Sequence, residues 1–554
     1  MSPKDDAATV AHVLNRITYG PSRDDLRWAG KIGVEAFIRE QLQPERLPDQ
    51  QIDTLLASLP TLQQDVGTLF REYPPPQLAR RMMREDEEPD PEMIRRMAVQ
   101  SMTPLRELAT ARMVRAVRSR RQLVEVLTDF WFNHFNVFAN KGQVRYLVLP
   151  YERDTIRPRV LGRFRELLGA VARSPAMLVY LDNWRSAAEE DHEVAGSAPG
   201  RRRFDAVEDA IRRLSRFRRG SAGMAAGVFG GQWRDRPQGA RQQRRQSRPD
   251  GLNENYAREL MELHTLGVDG GYSQHDVREV ARALTGWTLT LSAQGANFVF
   301  RPDWHDADEK EVLGHRLPAG RGIEDGEEVL DLLASHPSTA RFIATKLARR
   351  FVADDPPTRL IEKIAKRFSD SDGNLRETMA ALLTSPEFLG PSYRQSKVKN
   401  PLEFLASAAR ALALEIRPEA QLARALQPLG APLYNAAPPT GYPDSAEEWT
   451  SANALLARME IAGRLAQGVF GRDFGRDRTA GRSRRRPARG QGRDRGPAGN
   501  PEQRTEALLA QLLPGRDTGA LQRKLLDWVD EQAEEPGNAQ LATLILGSPE
   551  FQRR

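Results

Sequence analysis

The chain of 554 residues is 40% apolar and 28% charged, a globular composition too long for one ordinary hydrophobic core, so several helical subdomains or one large fused body are expected. It contains no Cys, which excludes disulfides, iron–sulfur clusters, thiolate metal sites and cysteine nucleophiles, and leaves His, Asp and Glu to hold any metal. The net charge is +7, which raises nucleic-acid or other polyanion binding as a question that the placement of the charge must answer.

The opening MSPKDDAATVAHVLNRITYG has two early acids and no apolar run of signal-peptide length, and no later segment reaches the length of a membrane span. As written, the chain reads as a soluble cytoplasmic protein or as a mature chain without its leader. Short amphipathic helices are expected over residues 6–42, where Val10, Val13, Leu14 and Ile17 share a face and Tyr19-Gly20-Pro21-Ser22 stops one helix and caps the next. The Pro-rich stretch 74–91 reads as a loop or insertion. Residues 106–138 predict a long helical region ending in FWFNHF, and 163–172 predict another helix. Ser174-Pro175 then supplies an N-cap and a first-turn proline for SPAMLVYLD. Together these form an N-terminal helical part, 1–186.

Residues 187–250 read as an Arg/Gly-rich disordered insertion interrupted by one amphipathic stretch, RFDAVEDAIRRLSRF, and residues 201–248 carry 14 Arg against 4 acids. A central helical part, 251–468, opens with helices over 253–266 and 273–284. WTLTLS, NFVFR and KEVLG follow as a small antiparallel β excursion near 287–316. Helices resume over 326–333, 337–351, 359–368, 374–383, 402–414 and 447–466. In the helix HPSTARFIATKLARRFV, Phe342, Ile343, Leu347 and Phe351 face inward while Arg341, Lys346, Arg349 and Arg350 mostly face solvent. A second disordered linker, 469–503, carries 10 Arg against 3 acids over 472–495. C-terminal helices near 508–513, 521–529 and 539–546, within 504–554, complete the body. With the excesses of 10 and 7 positive charges in the two tracts set aside, the remaining chain stands at −10, so the folded body is acidic. The fold class is mainly α, a large multi-helix domain with one small β excursion. LILGSPEF at the end echoes LLTSPEF at 382–388, either as a repeated hairpin or as a shared Ser-Pro-Glu capping device.

AHVLNRITYGPS, FWFNHF, SPAMLVYLDN, GLNENYARELMELHTLGVDGGYSQHDVREVARALTGWT, HPSTARFIATKLARRFVADDPP, SPEF and PLEFLASAARAL, in this order, resemble the family called domain of unknown function 1800. The resemblance runs from near residue 10 to the end of the chain. It implies large helical bacterial proteins, many of them exported, often encoded beside a second family similar to sulfatases. It implies no established reaction.

The polar-rich helix from Asn253 places Asn255, Glu259 and Glu262 on one face beside Arg258. Carboxylates a turn apart suit a divalent cation or an acid and base pair; the plainer reading is a solvated face with Asn253 as cap and an Arg258–Glu262 ion pair. His134, with Asn133 beside it in FWFNHF, is a second candidate, although most buried histidines serve structure. His305 and Asp306 in WHD follow a strand and suit either a working loop or a turn. Tyr180 and Asp182 end a helix and suit a C-terminal turn contact before a reach into a cleft, while His264 points away from Glu262, and His275 and His336 suit caps. The motifs HExxH, GxSxG, GxxxxGK[ST] and GxGxxG are absent.

Three readings stay open. The first is an unconventional, metal-assisted hydrolase with His134, Glu259, Glu262, His305 and Asp306 as catalytic groups and Asn133, Asn255, Arg258, Tyr180 and Asp182 as ligand contacts. It requires His134, the helix acids and His305 to converge on one cavity. The second is a scaffold acting with a sulfatase-like neighbour. The third is polyanion binding by the Arg-rich tracts, where Phe217, Trp233 and Phe474 lie among the arginines.

Overall fold

The computed structural model describes residues 6–75, 90–189, 251–292, 295–416, 422–468, 497 and 499–554. Most of the stretch 74–91, both Arg-rich tracts and the helix expected at 203–217 lie outside the described residues.

Local caps set the N-terminal helices, with Ser22 in the capping role expected from sequence. Asp6 accepts the Thr9 amide to open Ala7–Ile17, and Ser22 and Asp25 form a reciprocal capping box that opens Arg23–Ile32. Glycine at position 33 lets the chain turn directly into Val34–Gln41. The long helical region expected over 106–138 consists of two helices, Thr103–Arg118 and Gln122–His134. Asp49, from a distant helix start, accepts from the Ser119 hydroxyl at 2.6 Å and the Arg120 amide at 3.1 Å and so holds an extended break. The Gln122 amide donates to the freed carbonyls of Ala116 and Ser119. Ser174 does stand at the N-cap of Pro175–Tyr180, but its hydroxyl makes no capping bond.

Two helices widen at their C-terminal ends. Val144–Pro150 runs into a π-turn, Tyr151–Ile156, and Glu254–Met261 runs into a second, Glu262–Leu266. The wider turn re-aims the side chains beyond it.

The β excursion consists of two hairpins. Trp287–Ser292 (β1) pairs antiparallel with Gly295–Phe300 (β2), with Trp287 opposite Phe300. Lys310–Val312 (β3) pairs with His315–Leu317 (β4), with Lys310 opposite Leu317. The later helices fall near their expected places: Ile323–Ser335, Pro337–Phe351, Thr358–Asp370, Leu375–Leu383, Pro401–Ala411, Ala452–Ala466, Pro501–Leu512, Gly519–Asp530 and Asn538–Gly547. The two SPEF segments share one device, for Ser385 caps the Phe388 amide and Ser548 caps the Phe551 amide. Both phenylalanines are buried.

One continuous apolar core runs through the body, drawing side chains from the first helix, from Thr103–Arg118 and Gln122–His134, from the central helices and from the C-terminal ones. Thr103–Arg118 packs on Pro401–Ala411, and Ala452–Ala466 packs along Asn538–Gly547. No helix among the described residues is long and apolar enough to cross a membrane.

The join between the first hairpin and the following helix leaves no spare volume. A Cβ on Gly326 would lie 2.4 Å from Trp287 Cζ2, and Trp287 is fully buried. Gly326→Ala is therefore expected to lower the urea midpoint by the equivalent of about 1–3 kcal/mol through overpacking, with the slope unchanged; an unaltered midpoint would contradict this packing.

Candidate functional site

A cleft opens between the end of Gln122–His134, the helix Pro337–Phe351 and the irregular segment 431–449, and has a volume of about 630 Å³, mouth included. Its floor is charged. Arg112, 4% exposed, donates from Nη1 to Glu152 Oε2 at 2.7 Å and from Nη2 to Asp129 Oδ1 at 2.8 Å. Its guanidinium lies 5.5 Å from the ring centres of both Phe132 and Tyr434. Glu152 enters from the π-turn, where it also pairs with Arg157 at 3.2 Å and accepts the Tyr434 hydroxyl at 2.6 Å. Burial alone would raise the Glu152 carboxyl, but Arg112, then Arg157 and the Tyr434 hydroxyl, outweigh it and hold it at about 2.

Arg350 is the second cation of the floor. Its Nη1 pairs with Glu403, which Arg554 also reaches at 2.9 Å. Nη2 stands 3.5 Å from Asp129 Oδ2, and neither Nη2 nor Nε makes a hydrogen bond. Asp129 thus sits between two guanidiniums with 19% of its side chain exposed.

The segment 431–449 forms the opposite wall, and side chains from three elements clamp it. Asn133 accepts the Tyr442 amide at 2.7 Å and donates to the Tyr442 carbonyl at 2.8 Å. Asn136 donates to the carbonyls of Ala436 and Pro438, and Tyr180 donates to that of Ala437. Lys397 holds Asp354 and the Asp444 carbonyl. Tyr442 and Trp449 meet edge to face at 6.3 Å, and both line the cleft with Asp444 and Asn400. Two backbone features shape this wall. Gly441 has φ of 74°, and a Cβ there would lie 2.4 Å from the Asn133 amide oxygen. Tyr434 is left-handed at φ 62°, a strain of order 1 kcal/mol held by its Glu152 bond and by the Ala139 amide at 3.0 Å.

The residues singled out from sequence do not share one cavity. Only Asn133 lines the cleft, and Tyr180 supports its wall from behind. His134 is 2% exposed and walled by Phe130, Trp131, Phe135 and Phe342, with Nε2 donating to the His264 carbonyl at 3.0 Å. His305 and Asp306 are fully buried in a different network. His305 contacts Thr285 and Asp325; Asp306 is gripped by Arg282 at 2.8 and 3.1 Å, and Lys310 donates to the Asp306 carbonyl and to Asp325. WHD thus ties the two hairpins to the flanking helices. The neighbourhoods of His134 and His305 have no residue in common, which corrects the expected convergence. Glu259 and Glu262 are half-buried away from both: Glu262 accepts the Tyr272 hydroxyl at 3.2 Å, and burial followed by the nearby Glu262 charge raises the Glu259 carboxyl. Arg258 bonds Gln274 rather than Glu262, Asn255 is exposed, and Asp182, left-handed at φ 61°, pairs with Lys141. Among the described residues no group of three or more His, Asp or Glu is placed to hold a metal ion.

The sequence reading missed Arg112, Asp129, Arg350, Tyr434, Tyr442, Asp444 and Trp449. It placed Arg350 mostly toward solvent, whereas the structure buries it; its counter-charges, Glu403 and Asp129, come from distant segments. The one signal available was an arginine at position 112 among the inward positions Leu108, Ala111 and Met113.

A mainly helical body with two small hairpins and an enclosed, charge-floored cleft defines the class of protein. The chain belongs to the family described as Protein of unknown function (DUF1800), whose model matches residues 12–553. No curated protein and no solved structure matches it.

Three buried histidines give a pH signature. Burial, then Arg16, holds His12 at about 4; burial, then Lys346, holds His264 at about 3; and burial pushes His134 well below its ordinary 6.5. The unfolded chain takes up these protons below about pH 6.5, so their contribution is intact above that value and is lost as pH falls toward the folded values. Glu152 is depressed, so its contribution is intact above about 4.5 and is lost between there and about 2. Urea midpoints are expected to fall from pH 6.5 downward, by at most about 4 kcal/mol per pH unit for three protons. His264→Gln should make the limb between 6.5 and 4.5 shallower, whereas Glu152→Gln should alter the pH dependence only below it. An acid limb that first appears below 4.5 would contradict the neutral, buried histidines.

Proposed function

We propose that the protein binds a compact, hydroxyl-rich small molecule, of sugar or polyol size, in the cleft over Asp129. The observation that carries this reading is the unfilled polar edge at the cleft floor. The Nε and Nη2 atoms of Arg350 have no hydrogen-bond acceptor, and beside them the partly exposed Asp129 carboxylate has room for donors. A hydroxyl group answers both needs because it donates and accepts at once. Trp449 and Tyr442 supply apolar faces for the ring or carbon skeleton, and Asn133 fixes their wall. Hydrolysis, the chemistry expected from sequence, would fall in this cleft to Asp129 and Asp444, the two carboxylates that line it, rather than to His134 or His305.

A second reading rests on charge alone: the tracts at 201–248 and 472–495 carry 24 arginines between them and suit polyanions. It is an accessory to an acidic body, and deleting both tracts should remove binding to heparin together with its steep salt dependence.

The cleft is tested by ligand-observed NMR and Trp fluorescence with glucose, galactose and glucuronate. Saturable binding is expected, weakened at least about tenfold in Asp129→Asn, the loss of one hydrogen bond to a charged group. In Trp449→Phe the fluorescence response should disappear. If no probe of this class saturates the wild-type chain, or if Asp129→Asn binds as tightly, the cleft does not have this role.

A further inference from the structure

A second, smaller cavity of about 250 Å³, mouth included, lies on the far side of Pro401–Ala411, between Asn15, Pro21, Ser407, Leu513, Arg516 and Phe551, with Lys399 on its wall. Its charge is unbalanced. Lys399 is 3% exposed, and its ammonium lies 3.7 Å from the Phe551 ring centre and makes no hydrogen bond or ion pair among the described residues. Arg516 spends both terminal nitrogens on the carbonyls of Glu550 and Arg553. Directly behind are two more buried cations. Arg458 bonds Gln552 and the Lys399 carbonyl, and Arg16 bonds the Tyr393 carbonyl and Ser396 while its Nε and Nη1 have no partner. Among the described residues no carboxylate lies within ion-pair distance of Arg16, Lys399, Arg458 or Arg516. Glu403, the nearest buried acid, is already shared by Arg350 and Arg554.

Buried cations without counter-charges are costly, and natural structures resolve them by pairing or neutralisation. Lysine can give up its proton, and burial followed by the Arg516 charge does push Lys399 well below its usual range. Arginine cannot. An excess of positive charge therefore persists here whatever Lys399 does, and the ring of Phe551 favours the charged ammonium.

We propose that this cavity is a site for a small tetrahedral oxyanion, free phosphate or sulfate, with Lys399 and Arg516 as its charged contacts and the Asn15 amide as a neutral one. The Asn15 amide spends one N–H on the Ala11 carbonyl and has another to give. Even with its mouth included the cavity is smaller than clefts that enclose drug-sized ligands, so a nucleotide or lipid phosphate is not the occupant. This site is separate from the cleft over Asp129 and does not rest on its reading.

The test is calorimetric titration of the full-length chain with inorganic phosphate against chloride at matched ionic strength. Saturable binding is expected below about 10 mM, with a rise in Tm of the liganded chain. Lys399→Met should lose at least about tenfold in affinity while its ligand-free Tm rises, because a buried charge has been removed. If that variant fails to fold, the half-buried Arg516→Gln carries the same expectation of weakened binding. Absence of saturable binding by the wild type, equal binding by the folded variants, or AMP binding as tightly as phosphate would each overturn the proposal.

Discussion

The buried ion chain at the centre of the body is the constraint on which the rest depends. Glu125, Arg157, Glu152, Arg112, Asp129, Arg350, Glu403 and Arg554 follow one another in contact, alternating acid and base. These residues come from positions 112 to 554, so the chain is cross-linked by charge across most of its length. Each member is stable in the interior only while its neighbours are present, since a buried charge deprived of its partner costs several kcal/mol. The helices that carry them are thereby fixed in register, and segment 431–449 is held over them through Tyr434.

That constraint also explains what the sequence could and could not disclose. The helices were legible because their information is local: the Ser22 and Asp25 box, the Asn400 and Glu403 box, Pro337 at a first turn and the apolar spacings that face the core. The break at Ser119 was not, because Asp49 makes it from seventy residues away. Arg350 was misread for the same reason. A helix ending in paired arginines has the pattern of a solvated face, and what turns one of them inward is Glu403 on another helix. His134 failed in the opposite direction: its aromatic surroundings were correctly read, but they seal the ring rather than expose it to a ligand.

The two polar networks of the body show why composition alone does not locate a site. Around His305 nearly every donor meets an acceptor: Lys310 has three oxygens, Arg282 has Asp306, Glu279 and a carbonyl, and the strands close over them. A network closed in this way specifies a fold, here the placement of two short hairpins. The floor of the cleft uses the same residue types but leaves its pairing incomplete at Arg350 and its carboxylate partly open at Asp129. The two networks differ in that incompleteness.

The cleft wall also contains strained backbone. The π-turn that delivers Glu152, the left-handed Tyr434 and the glycine required at 441 all serve the geometry of one cleft wall and its floor. None of them improves the packing of a helix, and each carries a conformational cost that a purely structural segment could avoid by relaxing. Tyr434 cannot relax without releasing Glu152, and Glu152 cannot be released without stranding Arg112. The ion chain therefore holds the wall in a conformation that its own backbone does not prefer, and the space kept open by that arrangement is the cleft.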